Sequence, residues 1–447
     1  MHFSTDQQTL DDLMIFGKPG TQSVYELFNQ AQTQGGARCI EALFRYPLAD
    51  PEAINNRCTL IRYLGEVLTD FPFHREWFDI IEAYLQQTDE RTRLAVRETN
   101  LSERLKSMIA TDPQWKQVAA GAVATGELLA ALPAFVNRLL DNRHPLLTSM
   151  IAPITHLLAD AELGRIAAAP VKKNLTPPEL AERDSLFRFK KREAIKKVLT
   201  VIYQLDACLA VAKVARERGF CYPQAFSKEQ GEVVMEDFYH PHVPGAVANT
   251  IHIHPAGNIV LLTGANMAGK STLMKALGIT MYLAQMGFPV PAKRMCFAVR
   301  EGIYTSINVP DNLSRGISHF YAEVLRVKKV ARELGAGKYL FTMMDELFRG
   351  TNVKDAHEAT VVLTTAFAAK PNCMFVVSTH IMEAGAVLQQ TVDNIQFVYL
   401  PTEMDGNKPV YTYRLRNGIT ADRHGMVIVR NAGILDLLNR NKTADTL

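Results

Sequence analysis

Asn258-Ile-Val-Leu-Leu-Thr-Gly264-Ala-Asn-Met-Ala-Gly269-Lys270-Ser271-Thr272 is the stretch that decides the fold. The run from Asn258 to Thr263 is apolar without alternation, the pattern of a strand covered on both faces. Gly264, Gly269, Lys270 and Ser271 then fit G-x-x-x-x-G-K-[ST], and a helix is expected from about Ser271 to Gln285. Strand, glycine loop and helix in that order build a phosphate cradle. The glycines permit tight backbone geometry, so that successive N–H groups can point at phosphate oxygens. The helix N-terminus adds its partial positive charge. Gly264, Ala265, Asn266, Met267, Ala268, Gly269, Lys270, Ser271 and Thr272 are therefore the expected nucleotide-binding residues. Lys270 is placed to reach the β- and γ-phosphates and the Ser271 hydroxyl to ligate Mg²⁺, which makes ATP with Mg²⁺ the expected ligand.

Further strands flank this one. Tyr339-Leu-Phe-Thr-Met-Met344 runs into Asp345-Glu346, and Met374-Phe-Val-Val-Ser378 runs into Thr379-His380. Val233–Met235 and Ile251–Ile253 read as shorter strands. Strands alternating with helices imply a parallel α/β sheet, here an ABC-like P-loop NTPase. A carboxylate at the end of an apolar strand sits where Mg²⁺ is held, so Asp345 is the expected metal residue beside Ser271. Glu346 is expected to orient or deprotonate the attacking water, and a solvated acidic turn is the competing reading. His380 is placed to sense the γ-phosphate, although a lone histidine is more often structural. The expected catalytic set is Glu346, Lys270 and His380.

Residues 1–230 have a different character. Apolar residues recur at three- and four-residue spacing, as from Ile54 to Leu64, which indicates helices broken by Pro113, Pro133, Pro145, Pro153, Pro177 and Pro178. Thr176-Pro-Pro-Glu179 reads as a helix start leading into a long amphipathic helix ending near Arg218. The expected organisation is an all-α domain over 1–230 followed by the α/β domain over 231–447. The chain of 447 residues is 47% hydrophobic and 21% charged with net charge +3, an ordinary globular composition without a global polyanion signal. Its six cysteines form no CxxC pair and suggest neither zinc site nor disulfide framework. The apolar stretch from about Val118 to Leu140 is interrupted by Glu127, Pro133 and Arg138 and reads as buried helix, not as a membrane span. No signal segment opens the sequence, and a reducing cytoplasm is the expected compartment.

Taken together, these motifs resemble the MutS family. Thr263–Thr272 is similar to that family's phosphate loop, with Asn266-Met267 far more specific than the generic pattern. Asp345-Glu-Leu-Phe-Arg-Gly-Thr351 resembles its Asp-Glu-x-x-Arg-Gly-Thr, Asp311–Glu323 its signature segment, and Ser378-Thr-His380 its histidine strand. Gly287–Ala292 and Asn417–Gly433 follow in family order. Thr9–Leu13, Ser23–Phe28, Gly35–Arg38 and Pro47–Asp50 resemble the start of the lever (core) domain, and Leu205-Asp206 with Ala212 the helix returning from it. The resemblance implies a homodimer with composite ATP sites, in which Ser318 reaches the ATP of the partner subunit; a loop hydroxyl capping a helix is the plainer reading of Ser318. It also implies DNA and repair-protein partners and no membrane role.

The sequence departs from the family in three ways. The lever-like start at about residue 8 leaves no mismatch-reading domain before it, and no Phe-x-Glu wedge occurs. The short stretch up to the return helix removes most of the DNA-gripping clamp. The adenine-stacking Phe aligns near Ala246, so the base is expected to pack against Tyr239-His240 or His242 instead. Arg188, Lys190, Lys191, Arg192, Lys196 and Lys197, interleaved with Phe187 and Phe189, could neutralise DNA phosphates without reading bases, or simply form a solvated helix face. Arg326, Lys328, Lys329 and Arg332 read as a solvated face. The expected function is that of a DNA-binding ATPase in mismatch repair or a related DNA-structure transaction. The alternative is an ATP-driven conformational switch acting on a protein, RNA or ribosome. A generic ABC-like ATPase is disfavoured by Asn266-Met267 and the signature segment.

Overall fold

A computed structural model describes residues 3–17, 22–68, 70–90, 93, 113–140, 144–170, 175–307, 319–406 and 408–420. Among these, the first helices are α1 (Gln7–Asp12), α2 (Val24–Phe28), α3 (Gln34–Arg45), α4 (Pro51–Val67) and α5 (Glu76–Gln86). They are followed by α6 (Pro113–Leu140), α7 (Pro145–Leu158), α8 (Ala161–Ala168), α9 (Pro177–Asp184), a π-helix (Ser185–Lys190) and α10 (Arg192–Arg218). The chain forms two compact units, one of residues 1–27, 46–58 and 215–447, the other of residues 28–45 and 59–214. This division is discontinuous, whereas the sequence suggests one boundary near residue 230. The two N-terminal stretches hold to the larger unit through contacts that no local pattern announces, such as the Leu48 N–H to Gln285 carbonyl bond at 2.9 Å.

The smaller unit is helical. Phe78, Ile81 and Tyr84 of α5 share one core with Val118, Ala122 and Leu129 of α6. The two helices approach so closely that a Cβ on Gly121 would lie 2.2 Å from that of Tyr84. Thr176 and Glu179 start α9 as expected, with the Thr176 N–H donating to Glu179 Oε2 at 2.9 Å. The expected single helix to Arg218 is instead interrupted by the π-helix, where buried Arg188 folds back on Asp184 at 2.5 and 2.7 Å. The windows Trp115–Leu139 and Arg192–Arg218 are long and apolar enough to cross a membrane by length and composition. α6 runs through Pro133 without the break expected from sequence. Burial of 56% and 83% of these windows matches core helices.

The larger unit is built on two sheets. Its strands are β1 (Gln224–Phe226), β2 (Val233–Phe238), β3 (Asn249–Ile253), β4 (Ile259–Gly264), β5 (Arg294–Ala298) and β6 (Gly302–Ser306). They continue as β7 (Leu340–Asp345), β8 (Met374–Ser378), β9 (Ile395–Leu400), β10 (Thr402–Asp405), β11 (Lys408–Tyr411) and β12 (Arg416–Asn417). Its later helices are α11 (Lys270–Gln285), α12 (His319–Gly335), α13 (Val353–Ala368) and α14 (Met382–Thr391). The major sheet has the order β12-β9-β4-β8-β7-β6, parallel throughout except for β12. Ile259 and Leu261, alternate residues of β4, join Phe375 and Val377 of β8 in a core closed by Val330 and Leu334 of α12 and Phe367 of α13. A smaller sheet, β1-β5-β2-β3, carries the segment that leads into β4, and β10 and β11 form a separate hairpin.

Candidate nucleotide site

β4 is buried at every position and ends at Gly264, whose φ of 152° and 3.2 Å approach of a notional Cβ to the Leu400 carbonyl require glycine. The loop then turns through Met267, at φ 70° and 72% exposed, and Gly269, at φ 99°. Gly269 is the N-cap of α11, and no side chain caps the helix there. Its first N–H groups therefore face the loop mouth with the helix dipole behind them, an arrangement suited to an anion.

Four polar side chains, those of Lys270, Ser271, Asp345 and Glu346, converge on this mouth. Lys270 is 6% exposed and its Nζ donates to the carbonyls of Gly264 at 2.9 Å and Ala265 at 3.3 Å. Burial pushes the Lys270 ammonium below its ordinary value, against the opposing pull of Glu346 and Asp345. The Ser271 hydroxyl donates to Asp345 Oδ2 at 2.6 Å, joining the loop to β7. Glu346 follows in a left-handed conformation, φ 50°, with its N–H bonded to the Ser378 carbonyl at 3.0 Å. Register explains the convergence. Ser378 of β8 lies opposite both Leu262 of β4 and Asp345 of β7, so the loop, the carboxylates and His380 share one sheet edge.

Basic groups stand around Glu346: Arg349 Nε lies 3.3 Å away, Lys270 Nζ 3.9 Å and His380 Nδ1 3.6 Å. The His380 imidazole is the strongest influence and holds the Glu346 carboxyl below the usual glutamate range, while burial works the other way. Glu346 is accordingly an anion at neutral pH.

The donor set fits a hard divalent cation. Asp345 Oδ1 is buried without a hydrogen-bond partner, beside Oδ2 and the Ser271 hydroxyl. No group of three or more His, Cys, Asp or Glu suited to a metal occurs among the described residues, so phosphate and water oxygens would complete the shell.

A cavity of about 330 Å³ opens next to the loop, lined by Tyr239, His240, Ala246, Thr272 and Tyr413 among others. Tyr239 and His240 thus stand where a base would pack; His242 stands behind His240, its ring 6.0 Å away. Burial, with His242 and Lys275, lowers His240 to about 4, so its ring is neutral at pH 7. Sequence reasoning missed Tyr413. It reaches the loop from beyond the β10–β11 hairpin, its ring against Gly269 at 2.9 Å from a notional Cβ. Asn249 clips it in place, donating to the Tyr413 carbonyl at 2.9 Å and accepting from the Leu415 N–H at 2.7 Å. Its φ of 55° is a strained value that this clip maintains. A Tyr413→Ala variant is expected to weaken nucleotide binding roughly tenfold and Tyr413→Phe hardly at all, on the scale of about 1–3 kcal/mol for an aromatic–base stack. Titration with a fluorescent ATP analogue measures both; equal affinity of the alanine variant would exclude Tyr413 from the base site.

Ser318 and most of 311–323 lie outside the described residues, as do the Gly425–Gly433 motif and the apolar Ile434–Leu438 segment. The basic row of the smaller unit, read from sequence either as a phosphate contact or as a solvated helix face, is largely paired with carboxylates. Arg188 is wholly buried against Asp184, which also accepts from Tyr84 Oη at 2.8 Å. Lys191 pairs with Asp160, Lys190 with Glu162 at 3.7 Å, and Arg192 and Lys196 with Glu193 at 3.2 and 3.5 Å. Asp184 and Glu193 lie within the local sequence of the row, whereas Asp160 and Glu162, at the start of α8, supply charge from outside it.

Comparison with known proteins agrees with the geometry. The family described as MutS domain V matches residues 260–444. The DNA mismatch repair protein MutS of Persephonella marina is 27% identical over 54% of this chain and 28% of its own length. The DNA mismatch repair protein MSH3 of Vanderwaltozyma polyspora is 27% identical over 55% of this chain and 25% of its own. For the DNA mismatch repair protein MutS of Bacillus licheniformis the figures are 26%, 64% and 36%. The chain thus spans about a quarter to a third of the length of these curated relatives. The phosphate loop, paired acidic residues and histidine strand all lie inside the matched region, so over residues 260–444 the chain is similar to the family described as MutS domain V.

Proposed function

We infer that the chain is an ABC-like P-loop ATPase that hydrolyses ATP at sites completed by a second copy, and that DNA is its partner in mismatch repair or a related DNA-structure transaction. The observation that carries the ATPase reading is the Ser271–Asp345 bond at 2.6 Å, with the orphaned Asp345 Oδ1 beside it, at the uncapped start of α11. Ser271 and Asp345 would hold Mg²⁺, which neutralises charge on the β- and γ-phosphates when bound. Lys270, now on the loop's own carbonyls, has the reach to exchange them for phosphate oxygens. Glu346 accepts a hydrogen bond from the attacking water and orients it, and His380 stands next to Glu346 facing the same space. Ser318 supplies the contact to the partner's nucleotide. The proposed domain organisation stays with a lever-like helical part before residue 230 and the ATPase after it, with residues 1–27 and 46–58 folded onto the latter.

DNA contact is proposed from the relatives, which are DNA mismatch repair proteins by name. The carboxylate-paired row on the π-helix and α10 favours a second reading, a switch acting on a protein or RNA partner. The two separate experimentally. Plain, branched and mismatched duplexes are titrated at low salt, where phosphate-driven affinity is greatest. The DNA reading expects binding and a change in ATP turnover of at least about twofold, lost as salt rises. No binding and no change at low salt would leave the second reading.

A further inference from the structure

Two residues of the turn that follows β7 carry left-handed backbone without being glycine. Glu346 has φ 50° and Phe348 φ 60°. A bulky residue rarely adopts that conformation unless its surroundings hold it there. For Glu346 the hold on the sheet side is the bond from its N–H to the Ser378 carbonyl at 3.0 Å. For Phe348 it is packing. Its side chain is 6% exposed and joins Leu347, Tyr304 and Val330 in the core of the major sheet. Its ring meets that of Phe320, in the first turn of α12, with 5.7 Å between centroids and 57° between planes. The Thr351 N–H closes the turn on the Phe348 carbonyl at 3.3 Å.

Gly350 meets the same helix. A Cβ there would lie 2.9 Å from the Phe320 backbone nitrogen and 3.3 Å from its Cα. Packed backbone does not give way as the tip of a flexible side chain does. The turn and the start of α12 are therefore fitted to each other at two points, one ring and one glycine. Leu347 and Phe348 are buried in the core, while Glu346 and Arg349 on either side of them are 3.3 Å apart. The two buried residues thus pin a turn whose first member is the carboxylate lying 3.9 Å from Lys270 and 3.6 Å from His380.

We propose that Phe348 and Phe320 are positioning residues for ATP hydrolysis: the contact between their rings holds the left-handed turn that aims Glu346 at the mouth of the phosphate loop. This rests on the water-handling role given to Glu346 above. Removing the Phe348 ring would open a large hole in the core and risk the fold, so the variants are made on the other side of the contact. Phe320 is 36% exposed. Phe320→Ala takes away the ring that Phe348 rests on, and Phe320→Tyr keeps it. Gly350→Ala drives a methyl group against the Phe320 backbone and displaces the turn from α12 without touching either ring.

Phe320→Ala and Gly350→Ala are each expected to lower kcat for ATP by about ten- to a hundredfold, the scale of a slightly displaced catalytic group, with affinity for a fluorescent ATP analogue within about twofold of wild type. Phe320→Tyr, which keeps the aromatic pair, is expected to turn ATP over within about twofold of wild type. Hydrogen exchange is expected to quicken at the Glu346 and Thr351 amides in the two alanine variants, while β4 and β8 stay protected. Unchanged kcat in Phe320→Ala, kcat and affinity falling together, or a loss in Phe320→Tyr as large as in Phe320→Ala would each overturn the proposal. Exchange needs no turnover, so the two readings fail separately. An inactive wild-type protein would overturn the ATPase reading, and exchange at Glu346 unaltered by Phe320→Ala would overturn the hold on the turn.

Discussion

Lys270→Ala is expected to reduce ATP turnover by at least about a hundredfold, the scale of losing a preorganised charge at a reacting phosphate, and to weaken ATP binding as well. The reason is visible in where the ammonium sits. It is almost fully buried, its bonds run to the Gly264 and Ala265 carbonyls, and the nearest carboxylate, Glu346, is 3.9 Å away. Two carbonyls and a half-shared anion are weak holders for a buried cation, as the lowering of its pKa by burial indicates. A triphosphate offers several negative oxygens at the same mouth, so the ammonium gains much more from it than from the loop carbonyls. Removing it also leaves Glu346 facing the phosphates with less compensation. The loop carbonyls border the mouth and can turn to water, so the fold is expected to survive, with a thermal midpoint close to wild type. Phosphate release and ATP-analogue titration on the same preparation measure both effects. Wild-type turnover in this variant would remove Lys270 from the site.

Legibility in the sequence followed locality. The β4–loop–α11 unit is written in one contiguous run, and the expected strand 258–263 and helix 271–285 differ from β4 and α11 by a residue. Asp345 and His380 were placed by the apolar strands that end on them, because a strand buried on both faces has an unmistakable composition. Strand order was not readable: that β8 lies between β4 and β7 is a matter of crossover connections, and it is this order that brings His380 within reach of Glu346. Long-range pairing hid the rest. Arg326 looks like one charge among four on a solvated helix face, yet its partner Asp6 is 320 residues away. Arg188, which the sequence leaves open between phosphate contact and a solvated face, is instead buried on Asp184 one helical turn away, a carboxylate that Tyr84 also reaches from 100 residues away. Tyr413 lines the cavity beside the loop, with Asn249 bonded to its carbonyl across 164 residues of chain. In each case the sequence shows the residue type, and the fold alone decides what it faces.

Glu346→Gln separates binding from chemistry, and the expected result is a protein that binds ATP at least as well as wild type but turns it over about 10²–10⁴ times more slowly. Glutamine keeps the volume of the side chain and one acceptor, so Asp345, Ser271 and Lys270 still present the metal and phosphate contacts. It cannot hold a negative charge toward a water molecule or take its proton. Arg349 and Lys270, with the His380 ring, lean on this carboxylate, and its loss frees Lys270 in particular for phosphate. The trapped complex is read by the ATP, not ADP, that stays with the protein through gel filtration. The pH dependence adds an independent reading. The folded Glu346 carboxyl lies below the usual glutamate value, chiefly through His380, so the ionised form persists as pH falls and turnover in the wild type should decline only below the ordinary glutamate range. By the same linkage, the stability this group adds is present above the unfolded value and is lost as pH falls through the folded one; the glutamine variant should lack that acid-side loss. Hydrolysis at the wild-type rate in Glu346→Gln would transfer the handling of water to another residue and leave Glu346 with only the electrostatic task of balancing Lys270, Arg349 and His380.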